Sequence, residues 1–128
     1  MEEINIDGAA SIRILEGGDV PLLPDFRTTF LAGLDHPIGT APLCELIAPG
    51  DMVTILVSDI TRGWMRQDRI APLLVDYLCA HGIPYEDIVF LIANGTHRPH
   101  LDEEKKKIVS EELFKKVSVI DHDCEADD

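Results

Sequence analysis

Two runs of apolar, β-branched residues, Val53-Thr54-Ile55-Leu56-Val57 and Ile88-Val89-Phe90-Leu91-Ile92-Ala93, each break abruptly into polar sequence. Their length and composition are those of buried strands. Between them Ile70, Leu73, Leu74, Tyr77 and Leu78 recur at the spacing of a single apolar helical stripe. Gly82 falls where a left-handed residue would end that helix, and Pro84 prevents its resumption. The segment from Met52 to Ala93 is therefore predicted to be strand, helix, strand. A helical crossover of this length joins parallel strands. The polar segments Ser58-Asp59-Ile60-Thr61-Arg62 and Asn94-Gly95-Thr96-His97-Arg98 then leave the same edge of the sheet, which is where open α/β sheets bind ligands.

The flanking sequence is less periodic. Ser11-Ile12-Arg13-Ile14-Leu15 alternates like a strand and Gly17-Gly18-Asp19 reads as a turn. Pro21 to Thr40 shows no clear period and is predicted to run irregularly over the sheet. Pro42 to Ile47 suits a short helix that stops at Pro49-Gly50-Asp51. Beyond the second polar segment Asp102 is expected to cap a short helix with acids early and lysines late, as the helix dipole favours. Val117 to Ile120 supplies another strand. These elements predict an α/β domain with a mostly parallel sheet and crossover helices, an open-sheet, Rossmann-like arrangement. The chain stops shortly after its last strand, at Asp121 to Asp128, which reads as one domain of a longer protein.

Composition narrows the classes. With 128 residues and 45% hydrophobic content, one core and one domain over residues 1–128 are expected. A net charge of -13 and a pI near 4.6 argue against nucleic-acid or anionic-membrane partners, which require basic surfaces. Met1-Glu2-Glu3-Ile4 lacks the basic and apolar regions of a signal peptide, and no apolar run approaches a membrane span, so a cytoplasmic location is expected. Cys44, Cys79 and Cys124 are widely spaced and form no Cys-x-x-Cys pair, which suggests neither a disulfide framework nor zinc. Cys79, on the predicted helix, reads as core packing.

The chemistry left to the chain is that of its two polar segments. There is no dinucleotide-binding glycine pattern, phosphate-binding loop, nucleophile elbow or His-Glu-x-x-His. What remains is a carboxylate at Asp59, cations at Arg62 and Arg98, and a titratable imidazole at His97, a set suited to a small anionic substrate. Plainer readings exist: Asp59 could cap the following turn and pair with Arg62, and His97 could bond backbone in a tight loop. Gly95 lets backbone approach a ligand. His97 and His100 are spaced like a metal pair, but Pro99 between them disfavours the helical geometry and no third ligand is evident. No metal is assigned to this chain, and His100 receives no role. Asp121-His122-Asp123-Cys124 reads as a solvated terminus.

From Pro49 to Cys124 the sequence resembles the N-terminal domain of the nickel-dependent lactate racemases and related 2-hydroxy-acid racemases and epimerases. The resemblance is carried by Pro49-Gly50-Asp51, Ser58-Asp59-Ile60-Thr61-Arg62, the Leu73-Leu74 helix ending at Gly82-Ile83, and Gly95-Thr96-His97-Arg98-Pro99 followed by Glu103-Glu104. It closes on Asp121-His122-Asp123-Cys124. It implies an isomerase of two domains that uses a nickel pincer nucleotide derived from nicotinic acid. In that family a histidine removes the substrate's hydroxyl proton while the α-hydride moves to the pyridinium ring. His97 matches one of the family's two catalytic histidines. Asp59 and Arg62 match residues at the cofactor and substrate site, and Thr96 and Arg98 flank the histidine as further substrate contacts. The resemblance also implies a small 2-hydroxy acid as substrate and a C-terminal domain carrying the nickel ligand, the cofactor-tethering lysine and the second histidine. Two departures stand out. Gly63 and Met65 occupy positions where the family usually has proline, with Trp64 between them, which leaves a larger hydroxy acid open as substrate. Leu101 stands before the acidic pair where the family tends to have threonine, so the capping box is weakened. A non-catalytic module that binds small anions is the alternative.

Overall fold

The computed structural model describes Gly8, Ser11 and residues 13–126. Three parallel strands, β1 (Val53–Ser58), β2 (Ile88–Ala93) and β3 (Ser118–Asp121), lie in sequence order with β2 in the centre. Val53 pairs with Ile88 and Ser58 with Ala93, so β1 and β2 end level with one another. Val89 to Ile92 pair with Ser118 to Asp121, and the His122 N–H continues the ladder to the Ile92 carbonyl at 3.0 Å. The chain is therefore an α/β domain with an all-parallel open sheet, as its pattern predicts.

The crossover helix α3 (Gln67–Ala80) connects β1 to β2. Its C-terminus forms the expected glycine stop: Gly82 has φ +94°, the Ile83 N–H reaches the Leu78 carbonyl at 3.1 Å and the Gly82 N–H reaches Cys79 at 3.1 Å. The buried face of α3 is rotated from the predicted stripe. Ala71, Val75, Tyr77 and Leu78 are buried, while Ile70, Leu73 and Leu74 are only half-buried. Ala71, Val75 and Leu78 meet the sheet, and Tyr77 turns toward a neighbouring helix that the period alone did not reveal.

That helix is α1 (Phe26–Asp35), which corrects the expectation of an irregular segment between Pro21 and Thr40. Asp25 caps it by accepting the Thr28 N–H at 2.9 Å, and the Tyr77 hydroxyl donates to Asp35 at 2.7 Å. Arg69 lies 5.2 Å over the Phe26 ring. No residue of α1 is fully buried, so its apolar positions make only a weak pattern. The predicted strand at Ser11 to Leu15 is not observed: Ser11 and Arg13 to Leu15 are exposed and outside any strand, and Ile12 lies outside the described residues.

The short helix α2 (Leu43–Leu46) falls inside the predicted Pro42 to Ile47 segment. After β2 come α4 (Asp102–Val109) and α5 (Glu111–Phe114). Leu101, not Asp102, holds the cap position of α4. Its side chain cannot accept a hydrogen bond, but Glu104 reaches back to the Leu101 N–H at 2.9 Å, leaving half a capping box. The core joins Ile88, Phe90 and Ile92 of β2 to Val75 and Leu78 of α3 and to Ile108, Val109 and Leu113 of α4 and α5. Cys79 packs against it as expected. The helical cover lies on that face of the sheet, while Leu56 and Ile120 on the other are exposed.

Candidate active site

Because β1 and β2 are parallel and end level, the segments that follow them rise from one edge of the sheet. Gln67, at the start of α3, fixes the end of β1 by grasping both backbone groups of Ser58: its Oε1 accepts the Ser58 N–H at 2.8 Å and its Nε2 donates to the Ser58 carbonyl at 3.0 Å. The chain then enters a 3₁₀ turn, Ile60–Met65, with Asp59 at its cap position. After β2, Asn94 and Gly95 turn the chain. Gly95 has φ +57°, the His97 N–H donates to the Asn94 carbonyl at 3.0 Å, and Asn94 Nδ2 returns a bond to the His97 carbonyl at 3.0 Å.

Across these two segments His97 Nδ1 meets Asp59 Oδ2 at 2.5 Å, although 38 residues separate them. Asp59 is buried, with its side chain 7% exposed, and its other oxygen accepts the Thr61 hydroxyl at 2.6 Å. The Thr61 hydroxyl and His97 together hold the Asp59 carboxyl below the usual carboxylate range, against a smaller opposing effect of burial. An ionised Asp59 requires the proton of the neutral imidazole to sit on Nδ1. Nε2, on a ring 60% exposed, then keeps its lone pair and has no protein partner among the described residues. The plainer readings hold only in part: Asp59 stands at the cap position of the turn and bonds Thr61 within it. Asp59 pairs with His97 instead of Arg62, and the His97 ring bonds a carboxylate instead of backbone.

Three adjoining hollows surround His97. One, of about 430 Å³, is bounded by Asp59, Thr61, Arg62, Asn94, Thr96 and His97. A second, of about 300 Å³, is bounded by Asp59, Ile60, Thr61, His97, Arg98 and His100. The third, of about 370 Å³, lies between the Asn94-to-Pro99 loop and Asp121 to Glu125. Asp59 and His97 line both of the first two hollows, Arg62 and Thr96 only the first, and Arg98 only the second. Their states differ. Arg62 is exposed and forms no side-chain hydrogen bond or ion pair among the described residues. Arg98 grips Glu104 through two bonds of 2.8 and 2.7 Å and donates to the Pro99 carbonyl at 2.9 Å. That grip, with the Leu101 N–H, brings the Glu104 carboxyl down to about 2. Trp64 and Met65 are exposed and line none of the three hollows.

Three residues gain a place that sequence reasoning withheld. Asn94 Oδ1 is buried and unpartnered among the described residues; turning the amide over would set this oxygen against the His97 carbonyl. His100 is buried with both ring nitrogens engaged, Nδ1 with Asp121 Oδ1 at 2.5 Å and Nε2 with the Ile60 N–H at 3.2 Å. Asp121 is therefore no solvated end residue; Lys105 also holds it, at 2.9 Å. Burial raises the Asp121 carboxyl, but Lys105 and His100 outweigh burial and leave it below the ordinary range. The expectation of solvation holds for His122 to Glu125, which are exposed.

The ends of two parallel strands thus carry a histidine bonded to a buried aspartate, and an arginine with no side-chain partner among the described residues, at the edge where open α/β sheets bind ligands. The whole chain, residues 1–128, matches the family model described as the lactate racemase N-terminal domain, and the chain belongs to that family. No curated protein matches it. Among the described residues no helix is long and apolar enough to cross a membrane, and no cluster of three or more His, Cys, Asp or Glu is placed to hold a metal ion.

Proposed function

We propose that this chain is the N-terminal catalytic domain of a 2-hydroxy-acid racemase or epimerase, with His97 as the base that exchanges a proton with the substrate hydroxyl. The observation that carries this reading is the Asp59–His97 contact, which engages Nδ1 and leaves Nε2 without a partner among the described residues, on a side chain that lines one hollow with Arg62. A substrate carboxylate paired with the Arg62 guanidinium would set its neighbouring hydroxyl against the imidazole. Nε2 takes the hydroxyl proton, and the ionised Asp59 at Nδ1 stabilises the resulting imidazolium without taking the proton itself. Thr96 borders the hollow that holds Arg62, and Arg98 borders the adjoining one on the other side of Asp59 and His97, so both would add polar contacts around the substrate.

The residues also fit the family's nickel pincer nucleotide in part. Arg62 offers a cation for its anionic groups, Asp59 and Thr61 line the same hollow, and Asn94 Oδ1 is a buried acceptor awaiting a donor. Among the described residues no group of three or more His, Cys, Asp or Glu is placed to hold a metal ion, and the family resemblance assigns the nickel ligand to a C-terminal domain. When bound, the nucleotide would supply the hydride-transfer chemistry at the substrate's α-carbon. The cysteines, none of them in a disulfide, suit a reducing compartment such as the cytoplasm.

In the full-length enzyme with its cofactor loaded, His97→Asn is expected to retain the fold and cofactor while losing roughly two to four orders of magnitude in kcat. Arg62→Ala is expected to act mainly on binding, by about 1.5–3 kcal/mol, the worth of a charge-assisted contact. A chiral assay of lactate and larger 2-hydroxy acids separates the two effects. Normal turnover by the His97 variant would overturn its assignment as base. Anion binding that depends on Arg62, with no racemisation by the loaded enzyme, would favour a non-catalytic module.

A further inference from the structure

His100 lines one hollow together with Asp59 and His97, and its side chain is only 3% exposed. Its surroundings dictate its tautomer. Asp121 Oδ1 faces Nδ1 at 2.5 Å, and Lys105, 2.9 Å from Oδ2, keeps that carboxylate an acceptor. Nδ1 therefore carries the proton, and Nε2 accepts the Ile60 N–H at 3.2 Å. Ile60 directly follows Asp59 and opens the 3₁₀ turn, whose first N–H groups have no partner within the turn. An aspartate at such a cap position ordinarily bonds the turn's own backbone; here one Asp59 oxygen holds the Thr61 side chain instead and the other faces His97. With His100 accepting one of those N–H groups, Asp59 is left to face His97.

We propose that His100 is a positioning residue, which fixes the backbone at Ile60 so that the Asp59 carboxylate is directed onto His97 Nδ1. Lys105 of α4, Asp121 of β3, His100 and the Ile60 amide form one continuous chain of contacts that anchors the turn to the core elements opposite it. This assignment rests on the reading of His97 and Asp59 as the proton-handling pair, but its consequence is a geometry that can be observed without turnover. The dependence runs through backbone, since His100 bonds neither His97 nor Asp59 directly.

Two substitutions divide the imidazole's functions. In His100→Asn the amide nitrogen can replace Nδ1 toward Asp121 while the Ile60 N–H loses its acceptor. In His100→Gln the longer side chain can bring an amide oxygen to the position of Nε2 and restore that bond. NMR of the 15N-labelled chain reads amide exchange at Ile60 and the low-field Nδ1 proton of His97 that reports its bond to Asp59. His100→Asn is expected to speed exchange at Ile60 by about tenfold, as loss of one net hydrogen bond would, and to weaken the His97 signal. The β2 amides should remain protected, and His100→Gln should recover both readouts. A folded Asn variant that keeps the His97 signal, or a folded Gln variant that lacks it, would overturn the proposal. So would an Asn variant that no longer folds, since His100 would then serve the core and not the site. Absence of the low-field signal from the unaltered chain would instead remove the His97–Asp59 pair itself, a failure distinct from that of His100.

Discussion

At the scale of single residues, the site is organised by what each charged group is already bonded to. Asp59 is tied to Thr61 and His97, Arg98 to Glu104, and Asp121 to Lys105 and His100, while the Arg62 guanidinium has no side-chain partner among the described residues. Arg98 therefore lines its hollow with its charge largely satisfied, and the proposed anion contact falls to Arg62 in the adjoining one. The Arg98–Glu104 pair also gives a pH signature. The folded-state value of Glu104 is lowered from 4.5 to about 2, so the pair's contribution is complete above the unfolded value and is lost as pH falls through that interval. Unfolding measured for the parent and Glu104→Gln should show a stability difference that shrinks as pH drops from about 4.5 toward 2. A difference that stays constant across that window would mean the carboxylate charge contributes nothing. Asp59 and Asp121 act in the same sense, since both lie below their ordinary values in the folded chain.

At the scale of elements, the stop of α3 decides how β2 enters the sheet. Gly82 has a positive φ, and a Cβ added there would lie 2.9 Å from Pro49 Cγ, so the helix end and the loop before β1 share one close contact. The next residue, Ile83, is fully buried. Gly82→Ala should destabilise the chain by about 1–3 kcal/mol, from the disfavoured backbone and from displacement of Pro49. Thermal and urea unfolding would measure it, and a neutral variant would show that the Pro49 loop yields freely. Gly82 is legible in sequence because glycine followed by proline is a local signal. The helix α1 is not legible in the same way. Its apolar residues Phe26, Phe30, Leu31 and Leu34 are only partly buried, and its strongest anchor, the Asp35 bond to Tyr77, spans 42 residues.

At the scale of the whole molecule, a single apolar layer between the sheet and α3, α4 and α5 supports the site from below. Phe90 is the largest of its fully buried side chains and sits in the central strand, two residues from the Ile92 carbonyl that holds His122. Phe90→Ala should cost about 3–5 kcal/mol through lost burial and the remaining cavity. Urea unfolding would report that loss. In the same experiment the low-field His97 proton should disappear with the core if the site depends on the sheet for its geometry. A site signal that outlasts the core would separate the two.

The sequence by itself determined the strands β1 and β2, the helix joining them, the parallel pairing and the edge from which both polar segments emerge. Each follows from local periodicity, turn chemistry and the length of the crossover, which a linear reading can see. It also singled out Asp59, Arg62, Thr96, His97 and Arg98 as neighbours at that edge. Only the tertiary structure decided how they are partnered. Asp59 chose His97 over Arg62, and His100 joined Asp121 and Ile60, because those contacts cross 38, 21 and 40 residues of chain. Nothing local distinguishes a solvated aspartate at Asp121 from one held by a lysine and a histidine. The rotated face of α3 has the same origin: Tyr77 is buried beside α1 while Ala71, Val75 and Leu78 join the core, and periodicity cannot tell one neighbour from another.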